Sequence, residues 1–209
     1  MKYPVDPATT PRAKAFSLWM KSPMPMVTLT KTMDITHLVK VSRKSGFKLN
    51  MLMCYCIGQA ASTMQQFYLL PEKGGLMQYD SLAINVIVPN REGDINSCDI
   101  HFTEDLQKFN ADYLSLTKKA SEECQSSFLE NDMVIGTSTL VQTEIDSVIN
   151  QYTELFVNPM VMWGKYRKGF WKDTLPVSLQ YHHAQMDGTH GATFLARLQE
   201  RISQLKISL

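Results

Sequence analysis

The sequence predicts an α+β fold, a two-layer sandwich with helices packed on one face of a mixed β-sheet. Runs with apolar residues at helical spacing and runs with strand-like alternation both occur along the chain. They do not follow the regular strand–helix–strand order of a parallel α/β fold. Hydrophobic residues make up 44% of 209 residues, and a chain of this length should bury roughly 70% of its unfolded surface. We expect one domain over residues 1–209.

Proline and threonine signals mark the first predicted helix. Thr10 is the expected N-cap of a helix from Arg12 to about Met20, because prolines keep the preceding residues extended and Pro23 ends the helix. Apolar spacing and turn residues predict the other elements of this half: a strand at 26–33, a short helix from 34 to near Gly46, and a largely buried helix at 49–66.

The second half begins with a predicted turn at Gly74-Gly75. Further along the chain, the same signals predict strands at 83–88, near Ile100, at 133–141 and at 159–164, and an amphipathic helix at 109–119. Residues 175–183 alternate regularly, which places Tyr181 and His183 on one face of a strand. After a turn at Asp187-Gly188, the last helix carries an apolar stripe formed by Phe194, Leu195, Leu198, Ile202 and Leu205.

Charge and cysteine content exclude several classes of protein. The chain has 21 Lys and Arg against 20 Asp and Glu, a net charge of +1, which is too low for a bulk DNA-coating protein. Four unevenly spaced cysteines are not typical of a disulfide framework, and no second Cys or His pair supports a metal site at Cys54 and Cys56. The N-terminal residues have no apolar signal core, and no stretch approaches the roughly 20 apolar residues that cross a bilayer. We therefore expect a soluble, cytoplasmic protein that binds no metal, nucleic acid or membrane.

One basic and aromatic stretch, residues 163–172, qualifies that expectation. Alternating cations and aromatic rings can bind single-stranded nucleic acid. One short patch in a near-neutral protein supplies few phosphate contacts, however. The favoured interpretation is a solvated hairpin with its aromatic rings turned inward.

The segment His182-His183-Ala184-Gln185-Met186-Asp187-Gly188 is the strongest candidate for chemistry. Adjacent histidines on a strand point to opposite faces, so one imidazole can enter a cleft while the other packs within the fold. A neutral imidazole is the commonest general base near neutral pH, and the Asp187 carboxylate can fix the geometry of the turn. On spacing alone, a histidine beside a turn is more often an ordinary structural residue.

This segment resembles the signature of the chloramphenicol acetyltransferase family, and the similarity covers nearly the whole chain in order. The resembling segments are Arg12-x-x-x-Phe16, Asp34-Ile35-Thr36, Tyr79-Asp80-Ser81, Pro159 with Gly164-Lys165-Tyr166, and the His-His-x-x-x-Asp-Gly segment. The resemblance implies the CoA-dependent acyltransferase fold of that family.

The resemblance also implies a mechanism. His183 would be the general base for direct transfer of an acetyl group from acetyl-CoA to a hydroxyl of a small-molecule acceptor. In that family, acetylation of the acceptor confers antibiotic resistance. Asp187 would be structural and would pair with Arg12. Lys165 and Tyr166 would lie near the coenzyme A channel. The family's enzymes are homotrimers with the active site at the subunit interface.

The chain departs from the family at the position of its oxyanion-stabilising serine. Counting back from Gly164 without gaps places that serine on Gly136, and Ser138, Thr137 or Thr139 could substitute only if the strand shifts register. A family threonine that helps to bind the transition state is replaced by Met162, and residues 25–27 lack the aromatic of the antibiotic pocket. Loss of one such donor costs roughly 3 kcal/mol in the transition state. These departures question chloramphenicol as the acceptor more than they question acyl transfer.

Two alternatives remain open. The first is the catalytic domain of a dihydrolipoamide acyltransferase, which usually accompanies lipoyl modules and Pro/Ala-rich linkers that this sequence lacks. The second is a non-catalytic relative, or one of altered specificity, that binds a small molecule or a partner. The changed serine and threonine favour the second alternative, whereas the intact His183, Asp187 and Arg12 argue against it.

Overall fold

The computed structural model describes residues 1–207. Its helices are α1 (Ala13–Trp19), α2 (Thr36–Ser45), α3 (Leu49–Ala61), α4 (Leu106–Glu123) and α5 (Gly188–Gln204). Its strands are β1 (Lys2–Val5), β2 (Met26–Asp34), β3 (Leu69–Glu72), β4 (Gly75–Tyr79), β5 (Leu82–Pro89), β6 (Ile95–His101), β7 (Met133–Leu140), β8 (Met160–Gly164) and β9 (Thr174–His182).

Six of the strands form one mixed sheet in the order β2-β9-β8-β7-β5-β6. Strand β7 runs parallel to both of its neighbours, β5 and β8, and the other pairs are antiparallel. The predicted α+β class with a mixed sheet is confirmed. The sequence did not predict the second, three-stranded sheet β1-β4-β3. Its two edge strands contain Pro4 and Pro71, and proline counts against a strand assignment except at an edge.

The two faces of the large sheet differ in chemistry. On one face, Val177, Leu179 and Tyr181 of β9 belong to the core under the helices. Gly191 of α5 approaches this face so closely that an added Cβ would lie 2.8 Å from Tyr181 Cε1. The opposite face carries polar side chains, including Ser178, which are covered by the connection between β7 and β8.

That connection, residues 141–159, bonds directly to the polar face. The Val148 backbone N–H donates to Ser178 Oγ at 3.0 Å, and Gln180 Nε2 donates to the Asn150 carbonyl at 2.9 Å. Both Ser178 and Gln180 are buried as a result. We call this second side of the sheet the polar face.

Several element boundaries differ from the predictions for physical reasons. Thr10 is not the N-cap of α1, because its hydroxyl donates to the Pro7 carbonyl and the N-cap position is Arg12. Helix α3 ends at Ala61 instead of continuing to 66, since the Ser62 and Thr63 hydroxyls bond back to preceding carbonyls and favour termination.

The end of the chain shows two further differences. Strand β9 ends at His182, so His183 lies just beyond the strand. Asp187-Gly188 is not a free turn, because Asp187 is the N-cap of α5 and Gly188 its first residue. Within residues 1–207, none of the helices has the length and apolarity needed to cross a membrane.

Candidate functional site

His183 is held where β9 ends, beside the loop that precedes β2. Its backbone N–H donates to the Pro25 carbonyl at 2.7 Å. Its imidazole stacks on the indole of Trp19, the last residue of α1, with ring centroids 4.2 Å apart and planes 7° from parallel. Nδ1 is buried without a hydrogen-bond partner in the described part of the chain. The geometry therefore leaves Nε2 as the nitrogen available to a substrate.

Arg12 connects the backbone of His183 to the start of α5. One guanidinium nitrogen donates to Asp187 Oδ2 at 2.9 Å, and another donates to the His183 carbonyl at 2.6 Å. The structure thus brings together the three residues that the family signature selects from opposite ends of the chain. Since Arg12 immediately precedes α1, the helix that positions Trp19 is tied to the same turn.

Asp187 is both the partner of Arg12 and the N-cap of α5. Its Oδ1 accepts from the His190 backbone N–H at 3.1 Å, and the Asp187 N–H donates to His190 Nδ1 at 3.3 Å, which completes a capping box. Partial burial raises the pKa of the Asp187 carboxyl. The hydrogen bond from the His190 backbone N–H and the charge of Arg12 oppose that effect, and the pKa lies below its ordinary value. Asp187 is therefore an anion at neutral pH.

His182 points to the polar face, away from His183, as strand alternation predicts for neighbours. Its Nδ1 accepts the Ala184 backbone N–H at 3.1 Å. Burial, assisted by the charge of His183, lowers the pKa of His182 to about 4. His182 is therefore a neutral structural residue at neutral pH.

Lys165 and Tyr166 line a cavity of about 570 Å³ at the end of β8. Lys48, which immediately precedes α3, lines the same cavity. Trp163 and Met53 contribute apolar wall. Two ammonium groups beside an apolar wall are suited to a ligand with both phosphate and hydrophobic parts.

The serine and threonines of β7 are separated by the structure. Thr137 is buried and its hydroxyl donates to the Asn85 carbonyl at 2.7 Å, so this hydroxyl is already engaged. Ser138 is half-buried, pairs in register with Met162 of β8, and lines a cavity of about 460 Å³ together with Thr139. Of the three hydroxyls considered from the sequence, Ser138 is the one on the polar face.

Gly136 lies two residues earlier on β7, also on the polar face. A Cβ built on Gly136 would overlap Met160 Sδ. Met160 is the residue opposite Gly136 in the β7–β8 register. The thioether therefore fills the space that a serine side chain would enter at this position.

His183 and Ser138 are far apart within one chain. Ser138 is in register with Met162, and Met162 with Ser178, so β7 and β9 are separated by two strand spacings, about 10 Å. His183 lies five residues beyond Ser178, about 16 Å along the strand direction. Five cavities of about 430–650 Å³ open on the described residues, and none of these five is lined by His183.

Sequence reasoning missed Trp19 and Lys48 and did not identify the capping role of His190. The Asp-x-x-His spacing that ends in His190 is a capping-box signal in which histidine replaces the usual Glu or Gln. Trp19 is separated from His183 by most of the chain, and only the fold brings the two rings together. Among residues 1–207, no cluster of three or more His, Cys, Asp or Glu is placed to hold a metal ion.

Comparison with known proteins gives a consistent result. The family model described as chloramphenicol acetyltransferase matches residues 2–199. The chain is 29% identical over 180 residues to chloramphenicol acetyltransferase 3 of Escherichia coli, covering 82% of this chain and 83% of that protein. It is 26% identical over 200 residues to chloramphenicol acetyltransferase 2 of Escherichia coli, covering 93% and 94%.

Solved structures share the fold at lower identity. One titled chloramphenicol acetyltransferase aligns with a TM-score of 0.84 and 16% identity, covering 97% of this chain and all of that chain. A probable dihydrolipoamide acetyltransferase from Listeria monocytogenes aligns with a TM-score of 0.70 and 15% identity, covering 99% and 97%.

Proposed function

The chain belongs to the chloramphenicol acetyltransferase family, and we propose that it transfers an acetyl group directly from acetyl-CoA to a hydroxyl of a small acceptor, with His183 as general base. The observation that carries the proposal is the fixed imidazole. Arg12 holds the His183 backbone, Trp19 holds its ring, and Nδ1 is buried. These contacts leave one nitrogen of a positioned imidazole for chemistry.

The proposed reaction has two balanced steps. Nε2 of His183 takes the proton of the acceptor hydroxyl while the oxygen forms a bond to the thioester carbonyl carbon, which gives a tetrahedral oxyanion. The intermediate then expels the CoA sulfur, and the imidazolium returns the proton to that thiolate. No covalent acyl-enzyme is formed.

Fixing the imidazole contributes to catalysis because it removes freedom that the transition state would otherwise lose. Holding reacting groups in near-attack geometry is worth on the order of 7–11 kcal/mol in favourable intramolecular systems. Arg12 and Asp187 are positioning residues in this proposal, since they contact the His183 carbonyl and each other rather than the reacting atoms.

Acetyl-CoA is proposed to bind along the cavity of Lys48, Lys165 and Tyr166. The ammonium groups would pair with phosphate oxygens, and the apolar wall would contact the pantetheine arm. This cavity is at the end of β8 that faces away from His183, so the thioester must extend along the sheet to reach a base.

We also propose a homotrimer with its active site between subunits, because the groups that the reaction needs are far apart within one chain. One chain separates Ser138 from His183 by more than 15 Å, which is too far for both to contact one tetrahedral centre. A base from one subunit and a CoA site from its neighbour would remove this separation. Ser138 is the proposed oxyanion donor because the strand register puts its side chain on the polar face, whereas the Thr137 hydroxyl is engaged.

The Met160 side chain over Gly136 supports an alternative, in which the protein binds small molecules with altered specificity or without catalysis.

The test is thiol release from acetyl-CoA with chloramphenicol and then a panel of small alcohols, together with calorimetry of acetyl-CoA binding. Acceptor-dependent thiol release supports acetyl transfer and identifies the acceptor. Acetyl-CoA binding without thiol release for any acceptor would favour the non-catalytic alternative.

A further inference from the structure

The connection between β8 and β9 ends in two outward-facing aromatic side chains. Phe170 is 91% exposed and Trp171 is 85% exposed, and their rings meet edge to face with centroids 4.9 Å apart. The expectation that the aromatic rings of this stretch turn inward is wrong for these two residues. It holds for Trp163, which is buried in the core. Large exposed apolar groups that are adjacent commonly mark an interaction surface.

The hairpin that presents these rings is anchored rather than loose. Arg167 and Thr174 exchange two backbone hydrogen bonds, at 2.8 and 2.9 Å, which close the hairpin below its tip. The Arg167 guanidinium also pairs with Asp146 at 2.5 Å and with Glu144 at 3.6 Å. Gly169 lies so close to the Lys172 carbonyl that a side chain there would overlap it. The tip is therefore a tight turn with a fixed base.

Cationic side chains surround the tip. Lys168 and Lys172 are exposed on either side of the two rings, and Lys172 lies 3.4 Å from the Asp34 carboxylate. Helix α2 adds Arg43 on an adjoining surface, because its guanidinium reaches the Tyr166 hydroxyl at 3.5 Å. We call Phe170, Trp171, Lys168 and Lys172 the hairpin patch.

We propose that the hairpin patch docks the protein reversibly on an anionic phospholipid surface. Aromatic rings are favoured at the membrane–water interface, and lysines beside them are attracted to anionic headgroups. Single-stranded nucleic acid fits less well, because its bases need a series of stacking platforms along a groove. Here one pair of rings stands at 86° to each other at the tip of a single hairpin.

The patch is remote from the proposed base. Strand β9 runs from Thr174 beside the tip to His182 beside the base, a length of about 26 Å. Docking through the patch therefore leaves the His183 end of the sheet free. The proposal does not depend on the acetyl-transfer reaction.

The experiment is sedimentation of the full chain with vesicles of phosphatidylcholine alone, and with vesicles in which about a third of the lipid is phosphatidylglycerol. We expect binding to the anionic vesicles that weakens with added salt, and at least a tenfold weaker association with the neutral ones. The emission of native protein should shift to the blue on binding, and Trp171→Phe should bind without that shift, because Trp171 is the tryptophan at the tip.

Matched variants test the patch directly. The double variant Phe170→Ser/Trp171→Ser should lose binding, whereas Leu155→Ser/Phe156→Ser, which removes an adjacent exposed apolar pair elsewhere, should retain it. Lys168→Glu/Lys172→Glu should lose binding, and Lys118→Glu/Lys119→Glu on α4 should retain it.

Four outcomes would overturn the proposal. The first is that native protein does not bind anionic vesicles, and the second is that Phe170→Ser/Trp171→Ser binds them fully. The third is that a single-stranded oligonucleotide, and not vesicles, binds in a way that depends on the two rings. The fourth is that Phe170→Ser/Trp171→Ser changes the oligomeric state or the acetyl-CoA KM although no vesicle binding is seen. The last would assign the rings to a subunit contact or to the CoA site.

Discussion

The indole of Trp19 lies flat against the imidazole of His183, with the ring centroids 4.2 Å apart. Trp19 ends α1, and Arg12 at the start of the same helix donates to the His183 carbonyl. One short helix near the N-terminus therefore fixes both the ring and the backbone of a residue near the C-terminus. This arrangement supports the proposal that α1 sets the position of His183 together with the backbone hydrogen bond that continues its own strand.

Removing the stacked indole should impair turnover more than binding. We expect Trp19→Ala to lower kcat by about 100-fold because the imidazole loses its fixed orientation, with little change in the KM for acetyl-CoA. Trp19→Phe, which keeps an aromatic face, should recover most of that loss. Steady-state kinetics of thiol release measures both constants. Trp171→Ala, which removes an exposed indole, is the control and should retain the native kcat.

The two roles of Asp187 can be separated by substitution. Asp187→Asn keeps an N-cap for α5 but weakens the charged pair with Arg12, so kcat should fall while the melting temperature changes little. Asp187→Ala removes the cap as well and should cost about 1 kcal/mol more in unfolding free energy. Kinetics and thermal unfolding of both variants provide the test. Equal stability of the two variants would show that the cap contributes nothing.

The free energy of unfolding should decrease as the pH is lowered, because of His182. Its pKa is about 4 in the folded chain against an ordinary value of 6.5, so the unfolded state binds the proton more readily. The stabilisation that neutral His182 contributes is fully present above pH 6.5 and is lost as the pH falls toward 4. The free energy of unfolding decreases by roughly 3 kcal/mol over this range.

Denaturant unfolding at several pH values measures this loss. His182→Asn, whose side-chain oxygen can accept the Ala184 N–H, should show a shallower decline between those pH values. His37→Asn, at an exposed histidine bonded to the Leu205 carbonyl, should follow the native curve. A His182→Asn curve as steep as the native one would assign the loss to other groups.

The region of Gly136 offers a gain-of-function test. The double variant Gly136→Ser/Met160→Ala places a hydroxyl where the family resemblance puts the oxyanion serine and removes the thioether that fills the space. We expect kcat to rise by about 10- to 100-fold, because one oxyanion donor is typically worth that much or more. Met160→Ala alone should give no increase. A double variant no faster than that control would place the oxyanion elsewhere.

Local patterns predicted much of the fold and less of the site. The alternation of residues 175–182 correctly separated the core face of β9 from the polar face, since period-2 patterning follows directly from strand geometry. The contact of Arg12 with Asp187 joins residues 175 positions apart, so spacing alone could not predict it and the family resemblance did. Neither the spacing of residues nor the family resemblance indicated a role for Trp19.

For the hairpin at residues 165–173, the prediction from composition was wrong. Composition predicted that its aromatic rings would be buried, as apolar side chains usually are. Phe170 and Trp171 are exposed because the turn projects beyond the last ladder pair, Arg167 and Thr174, where no element within residues 1–207 covers it. Exposure at a hairpin tip depends on the neighbouring elements, which local sequence does not encode.

General-base catalysis by His183 is tested most directly by the kcat of His183→Ala for thiol release, measured beside calorimetry of acetyl-CoA binding. We expect kcat to fall by about 10²- to 10⁴-fold, the usual contribution of a general base, with acetyl-CoA affinity retained. His37→Ala, at a histidine bonded to the Leu205 carbonyl, should keep the native kcat. A His183→Ala enzyme that turns over at the native rate would contradict the assignment of His183 as the base.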